Sequence, residues 1–173
     1  MNLLKNALPD NDDELTISYN GNHLFVSHGT TQLICRLIDA RFPDYKVVIP
    51  TDNPYKLVVS KGDFQSALRR VSVFSNKSTN QVALTISGSE LQLAAQDVDF
   101  SFEGNERMNC QYDGEDLQIA FNARFLIEML NAAETNDVKV ELATSTKAGI
   151  IKPTEAEENE DLLMLVMPLM LNN

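Results

Sequence analysis

One rhythm recurs along this chain and constrains its fold more than any other feature: an amphipathic helix followed by three alternating strands. With its leading strand the unit reads strand, helix, strand, strand, strand, and it occurs about two and a half times. The first copy begins at its helix, Leu3 to Leu8, with no strand before it. A repeat cut at its first element is expected in a fragment of a longer protein, starting at a non-native Met1.

The second copy is the clearest. Tyr55 to Ser60 is rich in β-formers, and Gly62-Asp63 then offers a helix start with Asp63 as the cap. Phe64, Ala67, Leu68, Val71 and Phe74 recur at three- and four-residue steps, the apolar face of a helix. Val82 to Ser87, Leu91 to Ala95 and Phe100 to Tyr112 follow as strands, the first two joined at Gly88-Ser89. The third copy repeats the plan. Leu117 to Phe121 leads, and Asn122 caps a helix with the stripe Phe125, Leu126, Met129, Leu130 and Ala133. Val138 to Leu142, Gly149 to Lys152 and Leu162 to Met167 complete it, the last after an acidic loop of Glu155, Glu157, Glu158, Glu160 and Asp161.

The truncated first copy supplies Leu15 to Tyr19, His23 to Ser27 and Gln32 to Leu37. Asp52-Asn53-Pro54, polar and proline-bearing, marks a boundary. The expected organisation is half a domain over 1–52 and a complete one over 53–173. The fold class is α+β: tandem βαβββ units, two helices packed on antiparallel sheets, each burying one stripe and turning the other outward.

Composition narrows the functions. Hydrophobic content of 43% over 173 residues suits a folded globular protein. The longest apolar run is far below the roughly 20 residues a membrane helix needs, and no secretory signal precedes Asn2, so a cytoplasmic protein is expected. Cys35 and Cys110 fit a reducing compartment, with a disulfide between them the lesser alternative. The formal net charge of −11 speaks against nucleic acid, but an average hides faces with different jobs.

Catalytic patterns are missing. His23 and His28 lack a metal-site frame and read as exposed turn residues. No nucleophile elbow or phosphate loop is present, and the acidic loop reads as a solvated linker. No metal or cofactor is expected. What remains is surface. Residues 63–77 hold three basic side chains (Arg69, Arg70, Lys77) against one acidic (Asp63), and the next helix adds Arg124. A solvated helix face is the plain reading. The functional one is a sparse set of phosphate-facing charges that bind weakly and without sequence preference.

Two segments then point to a family. Arg41-Phe42-Pro43-Asp44-Tyr45 with Val47-Val48-Ile49-Pro50, and the ending Leu165-Val166-Met167-Pro168-Leu169-Met170-Leu171, resemble the bacterial sliding clamp, the beta subunit of DNA polymerase III. Phe64 through Asn76, and Phe121-Asn122 with the helix to Leu130, match in order and spacing. The resemblance implies a DNA-clamp fold, with three domains of doubled βαβββ units in the complete protein. Two such subunits close head to tail around duplex DNA, with helices lining the hole.

It further implies a hydrophobic pocket for short peptides of the polymerase III alpha subunit, the clamp loader and other clamp-binding proteins. Pro43, Val48, Phe125, Leu165, Met167, Pro168 and Leu169 match that pocket, with Asn122 and Thr146 at its rim. Val73 and Phe74 match the contact with the neighbouring subunit of the homodimer. Two departures stand out: the pocket's other half would belong to a part of the middle domain outside this stretch, so an incomplete site is expected, and the tail differs from the family's. Met170 occupies a position that is basic in many relatives, and the tail runs on to Asn172-Asn173. The alternatives are a scaffold that reuses the fold without touching DNA, and an enzyme whose site lies outside this stretch.

Overall fold

The computed structural model describes residues 6–8, 13–155 and 160–171. Of the expected helix at Leu3 to Leu8 only residues 6–8 fall among these, and Glu157 and Glu158 of the acidic loop and the Asn172-Asn173 end lie outside them. The chain divides into two compact units, Met1–Asp44 and Tyr45–Asn173.

The first unit is an antiparallel three-stranded sheet of β1 (Thr16–Tyr19), β2 (His23–His28) and β3 (Thr31–Arg36), in that order. Asn20 sets the first turn, its side-chain oxygen accepting from the N–H groups of Asn22 and His23. Gly29 sits at φ +53 in the second turn, where a Cβ would be strained. Contrary to expectation, His23 and His28 are not exposed turn residues. They end β2, half-buried, and the His28 ring lies 3.7 Å from Asp13.

The second unit opens with a 3-10 turn, Tyr45–Val48. β4 (Tyr55–Ser60) leads into α1 (Lys61–Val71), and a 3-10 turn over Ser72–Phe74 ends it. β5 (Gln81–Ser87), β6 (Glu90–Asp97), β7 (Phe102–Asn109) and the short β8 (Gln111–Asp113) come next. The third copy follows as β9 (Leu117–Asn122), α2 (Ala123–Ala132), β10 (Asp137–Leu142), β11 (Gly149–Pro153) and β12 (Met164–Val166).

The two copies interlock by exchanging leading strands. β4 pairs antiparallel with β10, Leu57 opposite Val140, and β9 pairs with β5, Ile119 opposite Leu84. One sheet runs β12-β11-β10-β4-β8 and the other β7-β6-β5-β9. Inward residues of both sheets and the helix stripes Phe64, Ala67, Leu68, Val71 and Ala123, Leu126, Leu130 form one core. The exchange makes that core a property of the pair: each leading strand joins the three-stranded run of the other copy, and only the short β8 returns to β4 of its own copy.

Three local expectations are corrected. The cap of α1 is Ser60, whose hydroxyl accepts from Asp63 N–H at 3.4 Å; Asp63 sits in the first turn. The run Phe100 to Tyr112 is two strands in different sheets. The chain breaks at buried Cys110, whose N–H donates to Ser89 O, and β8 crosses to pair with β4. The last strand is shorter than expected, ending at Val166.

Asp52 and Asn53 are tied to the second unit. Lys147 pairs with Asp52, and the Asn53 amide donates to Glu141 O and Ala148 O. Both cysteines are free thiols, Cys35 exposed and Cys110 buried.

Candidate functional site

The amphipathic stripes that bury one side of α1 and α2 also decide what the other side offers. The helices lie side by side and antiparallel: Lys61 at the start of α1 donates to the carbonyl of Ala133 at the end of α2, at 2.8 Å. That ammonium satisfies a helix C-terminal carbonyl and complements the negative end of the dipole. One turn on, the Gln65 amide donates to Asn131 Oδ1 at 2.7 Å. These bonds fix the pair as a single surface.

Of the basic residues expected there, Arg69 and Arg124 are exposed on the helices, with no ion pair among the described residues; Lys77 is likewise exposed but lies in the turn beyond α1, not on the helix as expected. Arg70 differs. Its guanidinium forks onto Glu106 of β7, with Nε to Oε2 at 3.0 Å and a second bond to Oε1. Hydrogen bonding to Arg70 holds the Glu106 carboxyl below its ordinary range and raises the arginine.

A second grouping gathers at the start of α2. Asn122 is fully committed as its cap: its oxygen accepts from Arg124 N–H at 2.9 Å and Phe125 N–H at 3.4 Å, and its amide donates to Thr79 O. Phe125, in the first turn, is 54% exposed. β12 packs near α2, and beyond it Leu169 N–H donates to Ala120 O at 2.7 Å, anchoring the tail along β9. Leu165, Pro168 and Leu169 are half-buried, whereas Met167 is 61% exposed, so it is not core.

Val48 is exposed in the 3-10 turn, and Thr146 is exposed in the loop before β11 with its hydroxyl 3.4 Å from Thr144. Pro43, also exposed, belongs to the first unit. A concavity of about 520 Å³ lies elsewhere, lined by Gln81, Ala83, Ala94, Gln96, Gln118 and Leu171 among others; none of the expected pocket residues lines it.

The model of the family described as DNA polymerase III beta subunit, C-terminal domain, matches residues 46–169. The chain belongs to that family. The beta sliding clamp of Haemophilus influenzae is 30% identical over 162 residues, covering 93% of this chain and 44% of the clamp. Among solved structures, the sliding clamp of Bartonella birtlesii bound to griselimycin aligns over 98% of this chain and 44% of its own, at 29% identity and a TM-score of 0.85. The Pseudomonas aeruginosa beta subunit covers 97% and 45%, at 26% identity and the same TM-score of 0.85. This chain thus spans less than half the length of the clamps it matches, and it has their α+β clamp fold.

On this clamp fold Val73 and Phe74 fall at the 3-10 turn after α1, and both are exposed, at 64% and 38%. The Phe74 ring lies over Gly104 of β7, where a Cβ would come within 2.3 Å of it. Val98, Phe100 and Phe102, which the sequence did not single out, are also exposed, the two phenyl rings stacked at 6.2 Å. β7 is an edge strand, so this apolar patch borders an unpaired backbone. Phe100 and Phe102 alternate with Asp99, Ser101 and Glu103, a pattern that reads equally well as the start of one strand continuing to Tyr112. Val47 and Met170, which flank Val48 and Leu169 in the sequence, are 78% and 83% exposed.

Proposed function

We propose that this chain is the C-terminal part of a DNA polymerase processivity factor, a non-catalytic cytoplasmic ring that encircles duplex DNA and tethers the polymerase. Residues 1–52 would close the middle domain and 53–173 form the last one. The observation that carries the reading is the helix pair: a joined surface bearing Arg69 and Arg124, with Lys77 in the turn beyond α1, on a chain of net charge −11. Sparse cations over an otherwise acidic protein attract phosphate without gripping it, which is what sliding requires.

The apolar residues Phe125, Leu165, Met167, Pro168 and Leu169, with Val48, would receive hydrophobic peptides from the polymerase alpha subunit, the clamp loader and other partners. Asn122 and Thr146 would form the rim. A surface rich in Met and aliphatic side chains repacks around different peptides. Val73 and Phe74 would meet the second subunit, and the neighbouring β7 edge supports that role.

The deciding experiment loads the complete protein that contains this chain onto circular DNA. Retention that is lost on linearisation, with polymerase stimulated, is expected. Release from both forms alike would leave a scaffold that never encircles DNA, and intrinsic nucleotide turnover would favour an enzyme.

A further inference from the structure

β7 is an open edge of its sheet, whereas the opposite edge, β9, is covered where Leu169 N–H donates to Ala120 O. Along β7 one row of backbone N–H and C=O groups has no strand partner, and the strand holds neither proline nor lysine to discourage pairing. Phe102, Gly104, Glu106 and Met108 share the face toward Phe74 and α1, and Glu103, Asn105 and Arg107 the outer one. Glu106, the carboxylate on the inner face, is already neutralised by Arg70 of its own chain. Beside it Phe102 is exposed, and Val73, Phe74, Val98 and Phe100 extend the apolar border.

We propose that this edge takes the β7 edge of a second copy of this chain, antiparallel about a two-fold axis at Asn105. A strand pairing with its own copy in this way sets one residue opposite itself, which limits the register to a few choices. Centred on Asn105, the run Phe102 to Met108 pairs throughout. Glu103 then stands opposite the partner's Arg107, twice by symmetry, and Phe102 opposite the partner's Met108, a favourable sulfur–aromatic contact. Centred on Glu103, Glu106 or Arg107, like charges would face each other; centred on Gly104, Phe102 would meet the partner's Glu106. Arg107 can turn to this role, since its contact with Glu90 is 3.7 Å long and both side chains are largely exposed. In a head-to-tail ring the same edge would meet a different part of the neighbouring subunit, so this isologous contact is a separate one and the two exclude each other.

Sedimentation equilibrium of the 173-residue chain tests it and should return a monomer–dimer equilibrium. Glu103→Arg and Arg107→Glu should each weaken association about tenfold, since both symmetric contacts turn repulsive. An equimolar mixture of the two variants should recover it, because every position 103 then faces a position 107 of opposite charge. The other registers predict no such rescue, and a misfolded variant could not show it. Single variants that dimerise as wild type does, or a mixture that stays apart, would overturn the proposal. If only Phe102→Ser weakens the dimer, the apolar patch meets a second copy without strand pairing, and the proposal falls. A wild-type chain that stays monomeric also overturns it but leaves the ring reading standing, because retention of the complete protein on circular DNA tests that reading independently.

Discussion

Asn122 shows how one side chain can serve two elements: it caps α2 with its oxygen and holds the Thr79 turn with its amide. Asn122→Ala should therefore cost about 1 kcal/mol, typical of a lost cap, read as a lower urea midpoint with an unchanged m-value. This cap was legible because an Asn directly precedes an apolar helical stripe. The cap of α1 was not, because Ser60 also ends a strand and Gly62-Asp63 offers a competing helix start just after it. Pairings across sequence were equally hidden. Arg70 announced a cation, but nothing local named Glu106 as its partner. That pair carries a pH signature. A depressed carboxyl contributes stability above its ordinary pKa and loses it as pH falls through the lowered value. The difference in melting temperature between wild type and Glu106→Gln should thus shrink in acid; a constant difference would count against the pair. The thiols report on burial: a maleimide should label Cys35 at once and Cys110 only on unfolding, since desolvation raises the Cys110 thiol.

At the scale of elements, alternation in β5, β6 and β10 and the 3.6-residue stripes of both helices were readable because each has one buried face. The exchange of β4 and β9 was not, since strand identity is local while strand partnership is set by the packing of the whole unit. The break at Cys110 escaped for a similar reason: Phe100 to Tyr112 keeps its alternation while the chain passes from one sheet to the other. Gly104 marks where β7 must admit the Phe74 ring. Gly104→Ala should cost about 1–3 kcal/mol as the ring is forced aside, an overpacking penalty visible in thermal melts. Phe74→Ala in the same chain should return part of it. If Gly104→Ala melts like wild type, the ring is free to leave and Phe74 does not order β7.

For the whole molecule, the question is whether the tail of the chain is core or contact surface, and two adjacent residues separate the possibilities. Val166 is 2% exposed and belongs to the core, while Met167 is 61% exposed just beyond β12. Order and spacing in the ending suggested both as part of one motif; only burial tells them apart, because a short terminal strand has too few residues for its alternation to be trusted. Truncating Val166 to Ala should lower stability by about 0.5–3 kcal/mol, as core truncations do. Met167→Ala should leave the melting temperature within error, because its side chain has little protein contact to lose. In the complete protein, however, Met167→Ala should weaken a hydrophobic clamp-binding peptide by roughly tenfold, the loss expected of an apolar side chain that becomes buried only on binding. Titration of such a peptide against both variants reads the two effects separately. A Met167→Ala protein that melts early would make the residue structural after all, and one that binds the peptide as tightly as wild type would remove Met167 from the pocket, shifting the weight to Phe125 and Leu169 on the flanking helix and tail.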